Sequence, residues 1–167
     1  MDEELVVRAQ QGDRQAFESL TLAHYTRLYR VAKSILGDRP TAEDATQEAL
    51  LDIWRYIRRL RDPSRFNGWS YRLLVHACYA EVKRGALKDG EVEPLPEDIA
   101  SAADEYRTVI VLRHLIGMTP EEVAEVLNVP RQTVYSRLRR AEASLQSALE
   151  ADARPASTSA TRLEVVG

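Results

Sequence analysis

A chain of 167 residues has room for one ordinary domain or two small ones. Its net charge of -3 excludes a protein that coats nucleic acid by bulk charge, so any binding to DNA must come from local patches. The single cysteine, Cys78, excludes an internal disulfide and suits a reducing compartment; the acidic opening MDEELVVRAQ lacks a signal peptide's apolar core, and no later run is apolar enough for membrane insertion, so a cytoplasmic location is expected.

Helical periodicity dominates the chain and strand alternation is absent, which predicts an all-α fold. From Asp2 to Gly37, Phe17, Leu20, Leu28, Val31 and Ile35 form a stripe widened by Tyr25, Tyr29, Ala32 and Leu36. A stripe that broad is buried on more than one side, as in a helical bundle, and its aromatics read as core. Gly37 to Pro40 reads as a turn, and Thr41 with Asp44 as the cap of the next helix. Along that helix Ala45, Ala49, Ile53, Ile57 and Leu60 face inward, while Asp44, Gln47, Glu48, Leu51, Asp52 and Arg55 share a second face. Leu51 is the odd member there, although one exposed leucine needs no special cause.

Pro63 and Gly68 mark Arg61 to Gly68 as a loop, and Trp69 to Arg84 is again helical with Leu73, Leu74 and Ala77 inward. The cations Arg61, Arg65, Arg72, Lys83 and Arg84 are interleaved with Phe66, Trp69 and Tyr71, and Asn67 lies among them. Cations along a backbone and rings under bases can hold a single nucleic-acid strand; packing of Trp69 and Tyr71 in the core is an equal alternative. Composition then changes: KDGEVEPLPED carries two prolines and five carboxylates, and reads as an acidic linker. After it, Val109, Ile110, Leu112, Leu115 and Ile116 supply the apolar face of the leading helices of a second unit.

Thr119 to Leu149 organises that unit. Thr119 is an N-cap, Pro120 sits at the first helical position and Glu122 closes a capping box. Asn128 tolerates left-handed geometry and Pro130 cannot continue a helix, so the chain turns and restarts at once. Two helices joined so tightly cross steeply, as in a helix-turn-helix. On the second, Val134, Leu138, Ala141, Leu145 and Leu149 face inward. The opposite face centres on Gln132, Ser136 and Arg139, with Tyr135 and Arg140 on its flanks and no acidic residue from Arg131 to Arg140. Those side chains can read base edges in the major groove and bind phosphates; a solvated helical hairpin is the alternative. The closing ADARPASTSATRLEVVG is expected to be disordered.

No enzyme constellation is apparent: His24, His76 and His114 lie on separate helices without metal-ligand spacing, and there is no glycine-rich phosphate loop or nucleophile elbow. No catalytic residue, metal site or cofactor is expected.

Three segments resemble one family. EEVAEVLNVPRQTVYSRLRRA is similar to the sigma-4 helix-turn-helix of bacterial extracytoplasmic-function (ECF) sigma factors of the sigma-70 family, with Asn128 and Gln132 where glycine is usual. AEDATQEALLDIW is similar to the sigma-2 segment that docks on the β′ clamp helices of RNA polymerase. RDPSRFNGWSYRLLVHACYAEVKR is similar to the sigma-2 run that melts and reads the downstream promoter element. Trp69, Tyr71, Arg72 and Arg84 match that run; Ser70, Leu74, Val75, His76 and Ala80 depart from it, which bears on sequence preference rather than fold.

The resemblance implies a sigma factor of two small helical domains. Residues 1–84 form a sigma-2-like unit, 85–98 the linker, 99–149 a sigma-4-like helix-turn-helix, and 150–167 a tail. It assigns polymerase binding to Asp44, Gln47, Glu48, Leu51, Asp52, Trp54 and Arg55. It assigns the downstream element to Arg61, Arg65, Phe66, Asn67, Trp69, Tyr71, Arg72, Lys83 and Arg84. The upstream element falls to Arg131, Gln132, Thr133, Tyr135, Ser136, Arg137, Arg139 and Arg140. The implied partners are core RNA polymerase (β′ clamp helices and β flap), promoter DNA and an anti-sigma factor. Alternatives are a helix-turn-helix regulator that never engages polymerase, and a sigma-like adaptor that binds only proteins.

Overall fold

The computed structural model describes the backbone of residues 2–88 and 97–152, and the side chains of residues 2–85 and 104–150. Every regular element in these ranges is helical. Helix α1 (Asp2–Gln10) is short and turns at Gly12, whose φ of 94° favours glycine. Asp13 caps α2 (Arg14–Leu36) by accepting the Ala16 N–H at 3.0 Å, and Arg8 pairs with the same carboxylate at 2.7 Å. The amide first and the guanidinium second hold the Asp13 carboxyl below the usual range. Helix α2 buries Leu20, His24, Leu28, Val31, Ala32 and Ile35. The expected aromatic core is incomplete, because Tyr25 is exposed and stacks on half-buried Tyr29 with centroids 6.2 Å apart.

Helix α3 (Arg39–Tyr56) begins earlier than the Thr41 cap would place it. Asp38 is the cap, accepting from the Thr41 N–H at 3.0 Å and from the Thr41 hydroxyl. Pro40 fits this frame because the first turn of a helix needs no intrahelical N–H donor. The buried side of α3 is Ala42, Ala45, Thr46, Ala49 and Ile53, small enough to bring its backbone close to α2 and α4. Two single 3-10 turns follow, Ile57–Arg59 and Pro63–Arg65. Gln10 ties the first of these to α1 by donating to the carbonyls of Ile57 (3.0 Å) and Leu60 (2.6 Å).

Helix α4 spans Phe66–Lys88, so Phe66, Asn67 and Gly68 form its first turn and not a loop. It buries Phe66, Tyr71, Leu74, Val75, Ala77 and Cys78, and burial pushes the Cys78 thiol up to about 12, which leaves it unreactive at neutral pH. Both neighbouring helices extend into the segment read as a linker: α4 reaches Lys88 and α5 starts at Glu97. Residues 89–96 of that segment lie outside the described ones.

Helix α5 (Glu97–Ile110) runs into one widened π turn, Val111–Leu115, and Gly117 (φ 82°) then reverses the chain. Helix α6 (Pro120–Leu127) carries the full capping box: Thr119 Oγ1 accepts the Glu122 N–H at 3.2 Å, and the Glu122 carboxylate accepts the Thr119 N–H at 2.7 Å. Asn128 is left-handed at φ 53°, ψ 46°, and α7 (Arg131–Asp152) starts after Pro130. Val134, Leu138 and Ala141 are buried, but Leu145 and Leu149 are 53% and 71% exposed. Their expected inward packing fails, as the last buried residue of α7 is Ala141. Helix α7 includes residues 150–152; the rest of the tail lies outside the described residues.

One hydrophobic core runs through both halves: Val109, Leu112, Val123, Val126 and Val134 join the cluster built on Leu20, Leu28, Ile53 and Leu74. Arg107 Nη1 donates to the Ile35 carbonyl at 2.9 Å, which satisfies a free acceptor at the C-terminal end of α2. Helix α6 packs on α4, and α5 on α2. No described helix is long and apolar enough to cross a membrane.

Candidate polymerase and nucleic-acid interfaces

Three surfaces carry the residues singled out by sequence. The first is the outer face of α3. Helical spacing stacks Asp44, Glu48, Leu51 and Arg55, and Asp52 and Gln47 border them. Leu51 is 49% and Trp54 45% exposed. Arg55 pairs with Asp52 at 3.1 Å and Glu48 at 3.4 Å, and the Asp52 hydrogen bond raises its pKa. Trp54 leans on Phe17 with centroids 4.6 Å apart, which holds the indole in place while half of it meets solvent. The result is a small apolar spot, Leu51 with Trp54, rimmed by charge.

The second surface is a cleft of about 1090 Å³ between α2 and the start of α4 on one side and the π turn and α6 on the other. It gathers Arg61, Arg65, Asn67, Trp69, Tyr71 and Arg72 from the expected downstream set. Lys83 and Arg84 are exposed much further along α4, about 16 Å from Arg72 at the helical rise per residue. Arg84 pairs with Glu81 at 2.8 Å. Two rings in the expected set are not surface platforms. Phe66 is 4% exposed, packed edge-on to His24 at 5.2 Å and 6.1 Å from Trp69. It was expected to meet a base from a loop; as the first residue of α4 it instead plugs the gap between α2 and α3. Tyr71 is 2% exposed and also belongs to the core. Its hydroxyl is buried without a hydrogen-bond partner, and burial raises its pKa against the pull of the neighbouring Arg27 guanidinium. Trp69 remains half-buried on the cleft wall.

Two of the cleft's cations touch α6. Arg72 Nη2 donates to the Glu125 carbonyl, and Arg65 lies 3.5 Å from the Glu125 carboxylate. Sequence reasoning missed Arg27 and Arg30, which enter the cleft from α2. Their only signal is a three-residue spacing on the polar side of an otherwise apolar helix.

The third surface is the outward side of α7. Gln132, Tyr135, Ser136 and Arg139 are exposed, and Arg139 has no ion-pair or side-chain hydrogen-bond partner among the described residues. The Ser136 hydroxyl donates to the Thr133 carbonyl at 3.0 Å, while Thr133 itself is half-buried. Arg131 pairs with Glu121, and Arg140 donates to the Tyr106 hydroxyl at 3.2 Å. Arg137 departs from its expected role. Its side chain is only 17% exposed and pairs with Glu105 at 2.5 Å, clamping α7 to α5. The reason is angular: Arg137 falls between Val134, Leu138 and Ala141, on the inward side of the helix. From Gln132 to Arg139 the free groups span about 10 Å of helix, the length of roughly three stacked base pairs.

Comparison with known proteins matches both halves. Residues 20–87 fit the family model described as Sigma-70 region 2, and residues 103–145 the one described as Sigma-70, region 4. The chain is 30% identical over 164 residues to the ECF RNA polymerase sigma factor SigM of Mycobacterium tuberculosis, covering 86% of this chain and 82% of the relative. It is 28% identical over 188 residues to the RNA polymerase sigma-H factor of Pseudomonas aeruginosa, covering 89% and 94%. Among solved structures, CnrH in complex with the cytosolic domain of CnrY aligns with a TM-score of 0.67 at 27% identity, covering 90% of this chain and 98% of the matched one. The sigma factor RpoE of Bartonella quintana, solved with the anti-sigma factor NepR, aligns at 0.66 and 22% identity over 81% and 98%, a likeness of fold.

Proposed function

The chain belongs to the ECF sigma factors of the sigma-70 family, and from that membership we propose how its three surfaces divide the work of promoter-specific initiation. It is a sigma factor, not an enzyme: it directs core RNA polymerase to promoters and lends it sequence specificity. The observation that carries the division is the pairing, in one chain, of a helix-turn-helix with a cation-and-ring cleft. The first suits duplex DNA and the second a separated strand. A regulator that only binds duplex has no need of the second.

In this reading α7 reads the upstream element, with Gln132, Ser136 and Arg139 on base edges and Tyr135, Arg131 and Arg140 toward phosphates. Thr133 supports the start of the helix, and Arg137 sets its angle through Glu105. The α3 face, centred on Leu51 and Trp54 with Asp44, Gln47, Glu48, Asp52 and Arg55, docks on the polymerase clamp. The cleft accepts the downstream strand on Trp69, Asn67, Arg61, Arg65 and Arg72, while Lys83 and Arg84 meet the adjoining duplex. A strand entering it competes with α6, because Glu125 holds Arg65 and Arg72 in the closed arrangement. The two units divide between the end of α4 at Lys88 and the start of α5 at Glu97. Because a sigma factor acts on core polymerase, its site of action in this reading is the cytoplasm, and the β flap and an anti-sigma factor complete the partners.

Docking is tested on Leu51. Because its side chain is half exposed, Leu51→Asp leaves helicity and melting temperature within the small range of surface substitutions. Affinity for core polymerase should fall by about tenfold or more, since an apolar contact at an interface centre becomes a buried charge. Circular dichroism and core titration on the same variant decide it. Unchanged affinity, or loss of helicity together with affinity, removes α3 as the docking face.

A further inference from the structure

The cleft's charges are unevenly compensated. Its lining includes five arginines (Arg27, Arg30, Arg61, Arg65 and Arg72) and three carboxylates (Asp62, Glu122 and Glu125), in a chain whose net charge is -3. Each carboxylate is already engaged. Asp62 caps the Pro63–Arg65 turn through the Ser64 N–H at 3.0 Å and the Ser64 hydroxyl at 2.6 Å. Glu122 closes the capping box of α6, and Glu125 lies against Arg65. Arg27, Arg30, Arg61 and Arg72 have no ion-pair partner among the described residues, although Arg72 donates to the Glu125 carbonyl, and two of the four sit together on α2. One helical turn places the two arginines on one face, about 5 Å apart along the axis. Beneath Arg27 the Tyr71 hydroxyl is sealed from solvent, with the Arg27 guanidinium as its charged neighbour. Two neighbouring cations without an ion-pair partner are a site suited to anionic oxygens.

We propose that Arg27 and Arg30 form a phosphate track that holds the backbone of the separated promoter strand on the same side of the cleft as Trp69. Neither arginine is adjacent in sequence to the downstream-reading segment; the packing of α2 on α4 brings them there. Their contribution is charge along the backbone, with no sequence information. The strand's bases lie over Trp69 at the start of α4, and its phosphates lie over the adjoining α2. This inference rests on the cleft being the downstream-strand site.

The test uses full-length protein bound to core polymerase and a fluorescent single-stranded oligonucleotide bearing the downstream element, titrated from low to high salt. Each phosphate contact to a single strand contributes about 0.7 to the slope of log affinity against log salt. Arg27→Ala with Arg30→Ala therefore flattens the slope by about 1.4, with an unchanged preference for cognate over scrambled oligonucleotide. Arg27→Lys with Arg30→Lys restores most of the slope, and a nucleoside triphosphate does not displace the strand. An unchanged slope in the double alanine variant overturns the proposal. So does loss of core binding by that variant, which would make the arginines structural. Displacement by the triphosphate would make the cleft a mononucleotide site and overturn it as well. If the unsubstituted complex shows no affinity for the oligonucleotide, the downstream-strand reading itself fails, a result distinct from an unchanged slope.

Discussion

Truncating Phe66 to alanine should cost about 3–5 kcal/mol of folding stability, the range for deleting a buried aromatic ring. The ring is 4% exposed, edge-on to buried His24 and close to Trp69, so its removal leaves a void among α2, α3 and α4 that those helices cannot collapse to fill. A loss of that size is a large part of the total stability of a small protein. Open-complex formation falls with the folded fraction, and a template mismatched across the downstream element restores none of it, because the defect precedes DNA. Chemical denaturation and run-off on paired and mismatched templates read both effects. Native stability together with rescue on the mismatched template would return Phe66 to the role of a base-capturing ring.

Arg139→Ala should cost about 1–3 kcal/mol of discrimination at one upstream base pair, the value of a bidentate contact. Arg139 is the exposed arginine on the centre of the α7 face, without a partner among the described residues, so it meets a base edge with no internal bond to break. Its neighbours separate cleanly from it. Arg131 and Arg140 are held by Glu121 and Tyr106 toward the edges of the helix; alanine at either should weaken all duplexes alike and flatten the salt slope by about 0.9. Arg137→Ala should loosen α7 from α5 and lower stability before it alters readout, because its guanidinium is spent on Glu105. Competition binding on single-base variants of the upstream element measures all four. Equal loss of cognate and scrambled affinity for Arg139→Ala would remove its base-reading role.

What sequence reasoning reached, and where it stopped, follows the range of the interactions. The Thr119 capping box, the left-handed Asn128 and the restart at Arg131 depend on residues within four positions of one another, and all stand in the structure. The α3 periodicity that left Leu51 outside is equally local, and Leu51 is outside. The misses are nonlocal or compete with a second local signal. Asp38 and Thr41 are both good caps, and only the fit of Pro40 to the first turn selects Asp38. Phe66 looked like a loop ring because Gly68 follows it, but its environment is set by His24, 42 positions earlier. Arg137 matched a DNA-facing pattern, whereas its partner Glu105 lies on another helix. The π turn at Val111–Leu115 has no sequence signal in the apolar run that contains it.

The central claim is that one chain gives core polymerase both duplex recognition and strand capture. Run-off transcription with purified core polymerase measures it most directly, on templates that carry or lack upstream and downstream elements selected with this protein. The account predicts specific transcripts only when the protein, core polymerase and both elements are present, and their loss in Leu51→Asp and in Arg139→Ala. A protein that shifts the upstream duplex by itself yet yields no specific transcript with core polymerase would contradict it.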